Sequence, residues 1–467
     1  MNHFFMPIVE ALTKHKQKQP VSFHVPGHKN GLLASWMDLS FDMTELTGLD
    51  DLHAPEGCIQ EAENMLSDLY GTLESKFLIN GSTSGNLAMI LGVLSKGDIV
   101  FVQRNCHKSI LNALKMAEVF PVFLAPEINK TTKTADLISV KTLLEAYEAY
   151  PDSKAVIFTY PTYYGMTGSF QELVKIAKNN GSWVLVDEAH GAHFKAEGKG
   201  IPLSALEMGA DVVVQSAHKM LPAMTMGAYL HIQSPNINRE RIRFYLQALQ
   251  SSSPSYPLMA SLDYARSYLA LYGDKDYAYS MAVKKRIAHL LEAKGFICLA
   301  ADDPYKLLVR VKGLTGYEVQ KLFENNDIYV ELADPYQVLL VFPLLKAEDS
   351  FFERLVLEKL DHLKIKKAGS VISYPTILPS GYISALTLSY NEHSRYQKKA
   401  VSLKEAVDSI AAEMIIPYPP GIPLIMEGES ISADQVEQIK WLISQGARFH
   451  GGSRLNEQKI FVFRKEN

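Results

Sequence analysis

The chain has 467 residues, 47% of them hydrophobic, and a formal net charge of −4 from 47 basic and 51 acidic side chains. A chain of this size can bury a large core, arranged in two or three domains. Because the charges are balanced and no long run of one sign occurs, neither nucleic acid nor an anionic membrane is expected as a partner. The expected partner is a small molecule.

Three cysteines, Cys58, Cys106 and Cys298, lie at wide and irregular spacing. This pattern is typical of a reducing compartment, and it indicates neither a disulfide framework nor a structural metal. The first 20 residues place lysines after an apolar patch, which is the reverse of a signal peptide, and no apolar run reaches membrane-spanning length. We therefore expect a cytoplasmic protein without a membrane segment or a bound metal.

The first predicted elements are a short helix over IVEALTKH, with Pro7 in its first turn, and the loop HVPGHKNG. From about residue 60 to residue 232, apolar β-rich runs alternate with helical patterns such as SFQELVKIAKNNG (169–181). The predicted strands are KFLIN (76–80), DIVFVQ (98–103), AVIFTY (155–160), WVLVDE (183–188), DVVVQ (211–215) and AYLHI (228–232). This alternation predicts an α/β fold with a mostly parallel central sheet, which binds ligands at the carboxyl ends of its strands.

The pattern changes after this domain. A long helical region (256–291) precedes the apolar runs YKLLVRV (305–311), IYVE (328–331) and VLLVF (338–342), which predict a smaller α+β unit. A second change near residues 364–370 precedes a Pro-rich C-terminal region that contains PYPPGIPLI (417–425).

The stretch FLINGSTSGN places a small-residue turn, Gly81–Gly85, between a strand and an apolar helix that we expect to begin near Asn86. Ser and Thr cap helices well, and the N–H groups at a helix N-terminus attract phosphate. The stretch is neither GxGxxG nor GxxxxGK[ST]. Taken alone, an ordinary capped helix is as good an interpretation.

The stretch WVLVDEAHGAH places Asp187 where an apolar strand meets its loop, a position at which a carboxylate needs a positively charged partner. An ATPase box of the DEAH type would require an upstream GxxxxGK[ST] run, which the sequence lacks. A metal site formed by Asp187, His190 and His193 remains an alternative on ligand type, although no matching cluster of ligands is evident.

The stretch QSAHKMLPAMTMGA places Lys219 after a strand, among apolar residues. A lone lysine is usually a solvated surface residue, but these surroundings favour a nucleophilic amine suited to Schiff-base formation. Pyridoxal phosphate requires such a lysine, a phosphate-binding turn and an acid beside its ring nitrogen. Lys219, Gly81–Asn86 and Asp187 could supply these, and His107 in RNCHKS could stack on the ring.

With these motifs, the sequence resembles the Orn/Lys/Arg decarboxylase family, which has the aspartate-aminotransferase fold (fold type I). The matching motifs extend over nearly the whole chain: FHVPGHKNG (23–31), DMTELTGLDDLHAPEG (42–57), NGSTSGN (80–86), RNCHKS (104–109), PTYYG (161–165), DEAHGAH (187–193), SAHK (216–219) and PYPPGIP (417–423). The length resembles that of the shorter members, which lack an N-terminal wing domain. One departure is Glu427-Gly428-Glu429, where family members commonly have Pro-Gly-Glu.

The resemblance implies a pyridoxal phosphate enzyme in which Lys219 binds the cofactor aldehyde, Asp187 pairs with the ring nitrogen and His107 stacks on the ring. Lys219 or His218 would return a proton to the substrate. The remaining residues expected to bind the cofactor are Ser82, Thr83, Ser84, Ser216 and His218 around the phosphate, His190 close to the cofactor, and Thr162 near the phenolic oxygen.

The resemblance also implies a homodimer or higher homo-oligomer with active sites at the subunit interface. HVPGHKNG and TELTGLDDLH would then approach a site, or would only shape tight loops. The expected domains are an N-terminal arm (1–30), a large pyridoxal phosphate-binding domain (31–262), a small α+β domain (263–366) and a C-terminal decarboxylase-family domain (367–467).

The implied reaction is decarboxylation of a basic amino acid to its amine, feeding polyamine metabolism, with arginine favoured over lysine and ornithine. Candidate acids for the distal group of the substrate are Glu45, Asp50, Asp51 and Glu331. One alternative is another fold-type-I enzyme, an aminotransferase or a lyase, because the fold does not decide which bond breaks. Arg310 and Arg395 exist, but neither lies in a recognised carboxylate-binding motif. The other alternative is a cofactor-binding regulator without turnover.

Overall fold

A computed structural model of the chain describes residues 1–33, 37–365, 381–418, 423–444 and 447–465. Two compact units divide the chain: the first comprises residues 1–93 and 184–277, and the second comprises residues 94–183 and 278–467. The domain boundary predicted at residues 366 and 367 lies outside the described residues, as do residues 419–422 of PYPPGIPLI and most of the predicted change at 364–370. The four predicted domains therefore stay a prediction.

The helices and strands of the described residues are numbered in chain order. The α-helices are α1 (Pro7–Gln17), α2 (Cys58–Tyr70), α3 (Gly81–Val93), α4 (Lys108–Met116), α5 (Val140–Ala149), α6 (Phe170–Asn179), α7 (Ala217–Met220), α8 (Arg239–Leu249), α9 (Tyr256–Ala270), α10 (Asp274–Ala293), α11 (Gly316–Glu324), α12 (Phe351–Asp361) and α13 (Ala433–Ser444). The strands are β1 (Glu74–Leu78), β2 (Ile99–Gln103), β3 (Phe120–Leu124), β4 (Ala155–Thr159), β5 (Trp183–Asp187), β6 (Val212–Gln215), β7 (Ala228–Ile232), β8 (Ile297–Ala300), β9 (Lys306–Arg310), β10 (Leu332–Ala333), β11 (Val338–Val341), β12 (Ile383–Ala385), β13 (Tyr396–Ser402), β14 (Ile415–Tyr418), β15 (Arg448–Gly451) and β16 (Lys459–Lys465).

In the first unit, strands follow the order β5-β6-β7-β1, and all except β7 run in one direction. The parallel pair β5 and β6 places Asp187 opposite Val214, so both strands end at the same edge. Helix α3 packs closely on these strands because Gly85 has no side chain: a Cβ there would lie 2.5 Å from Leu78 Cδ1 and 2.8 Å from Val214 Cγ1.

In the second unit, strands follow the order β4-β2-β3-β12, and all except β12 run in one direction. A separate antiparallel sheet has the order β10-β11-β9-β8, with α11 packed on β10 and β11. The C-terminal part contains the pairs β13–β16 and β14–β15. Its apolar core includes Ile415, Ile425, Ile439 and Ile460.

The predicted α/β class with a mostly parallel central sheet is confirmed, since in each unit three of these four strands share one direction. Each of the six strands predicted between residues 76 and 232 matches an observed strand to within two residues at either end. The sequence prediction missed β3, whose FPVFL run contains Pro121, a residue that argues against a strand because it lacks a backbone donor. Among the described residues, no helix has the length and apolar character needed to cross a bilayer.

The predicted long helical region (256–291) is helical and consists of two helices, α9 and α10, separated by residues 271–273. Two local predictions were wrong. Helix α3 begins at Gly81 and not near Asn86, so the whole GSTSGN stretch is helical. The IYVE run (328–331) precedes the short strand β10 and does not form one itself.

Candidate active site

Asp187 ends strand β5 with only 2% of its surface exposed. Its carboxylate accepts hydrogen bonds from Asn86 Nδ2 at 3.0 Å and from the Ala189 backbone N–H at 3.2 Å. Both donors are neutral, and no lysine or arginine among the described residues forms an ion pair with Asp187. A buried carboxylate in this state can accept a further, positively charged donor.

Glu188, the next residue, has a different environment. The oxygens of its carboxyl group accept hydrogen bonds from Gln215 Nε2 at 2.6 Å, the Ala205 backbone N–H at 2.7 Å and Ser204 Oγ at 2.9 Å. Burial raises the pKa of Glu188 to about 8. Gln215 also contacts His231, whose pKa burial lowers to about 3. Glu188 therefore belongs to a buried polar network and not to the edge where Asp187 ends its strand.

Lys219 lies in the short helix α7, directly after β6, and is partly buried. Its Nζ is 3.1 Å from His190 Nε2. The adjacent His218 contacts the Gly227 carbonyl oxygen through Nδ1 at 3.0 Å. Because a carbonyl only accepts hydrogen bonds, this contact requires a proton on Nδ1 of His218. The strand end thus presents an amine and two imidazoles.

The N-terminus of α3 brings two of the predicted phosphate-binding residues together: Ser216 Oγ donates a hydrogen bond to Ser82 Oγ at 2.7 Å. Ser82 and the exposed Thr83 lie in the first turn, where backbone N–H groups have no intrahelical acceptor and attract phosphate. Ser84 differs, because its hydroxyl donates to the Gly81 carbonyl oxygen at 2.9 Å.

The sequence analysis placed Asn86 in the phosphate-binding turn Gly81–Asn86 and did not predict its contact with Asp187. Asn86 is fully buried and donates to Asp187. Its spacing from Ser82 was the available signal, since residues four apart on a helix share a face. One helix thus carries both a hydroxyl that contacts Ser216 and an amide that contacts Asp187.

The two histidines of DEAHGAH have different positions. His190 contacts Lys219, whereas His193 is fully buried and its ring lies 4.8 Å from that of Phe194. Among the described residues, no group of three His, Cys, Asp or Glu side chains is arranged to hold a metal ion. The three cysteines are free thiols, and burial raises the pKa of Cys58 to about 12.

His107 and Thr162 belong to the second unit. His107 is the exposed N-cap of α4, and its Nδ1 accepts from the Ser109 backbone N–H at 3.2 Å. Thr162 is buried just after β4 and accepts from the Met166 backbone N–H at 3.1 Å. The roles of both residues toward a cofactor stay predictions.

The PTYYG loop that carries Thr162 is held by buried charged residues of the same unit. Lys306 Nζ donates to the Tyr163 carbonyl oxygen at 3.0 Å, and the Tyr164 hydroxyl donates to Asp334 at 2.7 Å. These contacts fix the loop at the end of β4.

Two residues considered for substrate binding have structural partners. The carboxylate of Asp50 accepts hydrogen bonds from five backbone N–H groups, among them Gly57 and Ile59 at the start of α2. Arg310 donates to the carbonyl oxygens of Thr131 and Thr132 and to the Gln337 side chain. Neither side chain is thus well placed to serve as the main contact of a substrate.

The loop HVPGHKNG is ordered by its own histidine. His28 Nδ1 accepts from the Gly31 backbone N–H at 2.9 Å, and His28 Nε2 lies 3.0 Å from the Asp42 carboxylate. These contacts support the interpretation of the motif as a tight loop, and an additional role near an active site stays a prediction.

The polar side chains at the strand ends of the first unit fit pyridoxal phosphate. The buried Asp187 carboxylate suits a protonated ring nitrogen, the Lys219 amine suits an aldehyde, and the N-terminus of α3 with Ser82 and Ser216 suits a phosphate. This unit alone therefore carries partners for three parts of the cofactor.

Comparison with known proteins gives matches along most of the chain. The family model described as Orn/Lys/Arg decarboxylase, major domain, matches residues 6–302, and the C-terminal domain model of the same family matches residues 382–450. The uncharacterized protein YaaO of Bacillus subtilis (strain 168) is 44% identical over 98% of this chain and 99% of its own length. An arginine decarboxylase of the same organism is 32% identical over 100% of this chain and 99% of its own length. The Francisella novicida lysine decarboxylase LdcF has a similar fold, with a TM-score of 0.79 at 19% identity, covering 99% of this chain and 81% of that one.

Proposed function

Because the chain belongs to the Orn/Lys/Arg decarboxylase family, whose members depend on pyridoxal phosphate, we propose that it decarboxylates arginine to agmatine and carbon dioxide. The observation that carries the cofactor assignment is Asp187, a buried carboxylate with two neutral donors and no cationic partner among the described residues. Arginine is favoured because the arginine decarboxylase of Bacillus subtilis is similar over its full length. The product would enter polyamine metabolism.

The bound cofactor supplies an electron-withdrawing ring that accepts the electron pair released when the carboxylate leaves as carbon dioxide. Asp187 would hold a proton at the ring nitrogen, which strengthens this electron withdrawal. Asn86 would keep the carboxylate of Asp187 in place through its 3.0 Å hydrogen bond.

Lys219 would bind the cofactor aldehyde through Nζ and would yield this position to the α-amine of the substrate. His190 Nε2 lies 3.1 Å from Lys219 Nζ and would orient the amine through this contact. His218 is held through Nδ1, so its Nε2 is the ring atom that can exchange a proton. Lys219 or His218 would return a proton to the substrate carbon.

Further contacts would hold the cofactor in place. Ser82, Thr83, Ser216 and His218 would bind the phosphate, and Ser84 would lie in the same turn. His107 would stack on the ring, and Thr162 would contact its phenolic oxygen. For the distal group of the substrate, Glu45, Asp51 and Glu331 are better candidates than Asp50, whose carboxylate already accepts five backbone hydrogen bonds. Glu331 accepts a hydrogen bond from the Tyr163 hydroxyl at 2.6 Å.

The active form would be a homodimer. The segment of residues 23–33 exposes apolar side chains that an isolated subunit would leave in water: Phe23 is 93% exposed, Leu32 83% and Leu33 74%. Exposed apolar patches of this kind typically mark interfaces. A second copy of the chain is the proposed partner for this surface.

Product analysis by mass spectrometry tests the reaction. The purified, cofactor-loaded protein is incubated separately with arginine, lysine and ornithine, and agmatine is expected as the main product. Lys219→Ala should abolish the reaction, whereas Lys175→Ala, at an exposed lysine of α6, should retain it.

Other products would change the conclusion in defined ways. Cadaverine or putrescine as the main product would replace arginine with lysine or ornithine as substrate. Keto acids in place of amines would indicate an aminotransferase, and cofactor absorbance without any conversion would indicate a regulator.

A further inference from the structure

Two carboxylates of the C-terminal region, Glu427 and Glu429, flank Gly428 in one turn. Gly428 has φ +95°, and a Cβ at this position would lie 2.6 Å from the Leu388 carbonyl oxygen. Only glycine satisfies both conditions without a shift of the backbone. The turn allows its two buried glutamates to contact different partners.

Glu429 forms a bidentate ion pair with Arg104, at 2.5 Å to Nη1 and 2.6 Å to Nη2. Arg104 is 1% exposed, and its other N–H groups donate to Ser384 Oγ and to the carbonyl oxygens of Pro423 and Leu424. All five guanidinium N–H groups thus have acceptors, and every acceptor lies in residues 384–429. The C-terminal part of the chain therefore supplies every hydrogen-bond acceptor of the Arg104 guanidinium, whose flat face also lies over the Phe123 ring.

Glu427 binds three basic side chains: Lys115 at 2.6 Å, Lys398 at 2.8 Å and His393 at 3.8 Å. Lys115 lies in the last turn of α4. Its partner therefore comes from the same turn that holds Arg104.

The segment between these two anchors carries His107. Arg104 directly follows β2, His107 caps α4 three residues later, and Lys115 lies at the other end of that helix. The contacts of Glu429 and Glu427 thus hold the segment on both sides of His107. A displacement of the turn would move the imidazole, because only Asn105 and Cys106 separate it from the immobilised guanidinium.

We propose that Glu429 and Glu427 are positioning residues that fix His107 for its contact with the cofactor. This inference rests on the proposed function, in which His107 stacks on the ring. The C-terminal region would then take part in the reaction indirectly, by holding a loop of the cofactor-binding part in one position.

The first test compares Glu429→Gln with Glu413→Gln in the cofactor-loaded, full-length protein. Glu413 is a matched control in the same region: it accepts backbone N–H groups of Gly452 and Phe461 and does not contact the His107 segment. For Glu429→Gln we expect an altered visible circular dichroism of the bound cofactor and about tenfold weaker cofactor binding, the value of one displaced stacking contact. We also expect kcat to fall by about 10²-fold with little change in KM.

Both variants should unfold at a lower temperature, but only Glu429→Gln should alter the cofactor signals. If the two variants have the same cofactor spectrum and affinity, the positioning role is wrong and Glu429 only stabilises the fold. Because Glu429→Gln leaves the buried guanidinium of Arg104 without a balancing charge, a milder variant is also needed.

Lys115→Met provides it, since this lysine is 47% exposed and its loss removes one anchor without burying a charge. Lys141→Met, at an exposed lysine of α5, is its control. A smaller change of the same cofactor signals for Lys115→Met alone supports the proposal, and identical signals for both variants contradict it. The spectra do not require turnover, so failure of this inference and failure of the decarboxylase assignment give different results.

Discussion

Glu188 allows a quantitative test of how the two adjacent acids of DEAH differ. Its pKa rises from 4.5 to about 8 because the carboxyl group is buried. The shift of about 3.5 pH units corresponds to roughly 5 kcal/mol at 1.36 kcal/mol per unit, which we take as an upper bound. We expect Glu188→Gln to remove the pH dependence that this group contributes to stability.

The sign follows from proton binding. Between pH 4.5 and about 8 the folded protein retains the proton on Glu188, whereas the unfolded chain loses it. The stabilising contribution is therefore complete below the unfolded pKa, and it decreases as pH rises through the folded pKa. Relative to the wild type, Glu188→Gln should gain unfolding free energy as the pH increases from about 5 to about 8.5.

The glutamine can retain the hydrogen-bond network. Its oxygen can accept from the Ala205 N–H and from Ser204 Oγ, which lies 3.2 Å from the same oxygen position in the wild type. Its amide can donate to Gln215 after the Gln215 amide group rotates. The reversed Gln215 would then donate to His231 Nε2, which lies 3.1 Å away in the wild type. No buried polar group of this network should be left without a partner.

Chemical denaturation at several pH values measures the effect, because every other titrating group is common to both proteins. Glu172→Gln, at an exposed position in the first turn of α6, is the control and should show no such trend. Cofactor affinity should change less than about twofold, since Asp187 keeps its own donors. A stability difference between wild type and Glu188→Gln that is constant across this pH range would refute the reasoning.

Three further predictions concern helix α3 and the exposed segment of residues 23–33. Asn86→Ala should cost about 1–3 kcal/mol of unfolding free energy and weaken cofactor binding, because Asp187 loses a buried donor. Asn325→Ala, at an exposed asparagine that follows α11, should do neither in calorimetry and cofactor titration. Gly85→Ala should lower the unfolding free energy by about 1–3 kcal/mol in a denaturation assay, since its Cβ would lie 2.5 Å from Leu78 Cδ1. Gly27→Ala is the control and should be close to neutral, because a Cβ at this position would have no neighbouring atom within 4 Å. Leu32→Asp combined with Leu33→Asp should shift the mass measured by light scattering from dimer toward monomer. Leu144→Asp, at an exposed leucine of α5, is the control and should leave the mass unchanged. An unchanged mass for the double variant would contradict the proposed interface.

The strands of the central sheet could be predicted because each is a short apolar run bounded by polar or turn residues. The prediction failed where a residue is a poor former of the element that it belongs to. Pro121 lies within β3, although it has no backbone donor, and α3 begins at Gly81, although glycine is a poor helix former. Tertiary packing stabilises these positions, and a single sequence contains no signal of that packing.

The chemical types in the candidate site could also be predicted, but their contacts could not. His190 and His193 lie three residues apart in one motif, and only the course of the loop decides that His190 contacts Lys219. The ion pair of Arg104 and Glu429 joins residues 325 positions apart, so no local pattern reveals it. Such contacts depend on the folded topology.

The buried acids of this chain differ in how many of their acceptor sites are used, and this difference separates structural acids from an acid that binds a ligand. A carboxylate has about four acceptor sites. Asp50 receives five backbone N–H groups, and Glu188 receives three donors, so little capacity remains for another partner. Within the part of the chain that the structure describes, Asp187 receives two neutral donors at a degree of burial similar to that of Glu188. A protonated ring nitrogen would supply both a further donor and a positive charge. Asp187, at the end of its strand, is therefore distinguished from Glu188 by the acceptor sites of its buried carboxylate that are still available to a ligand.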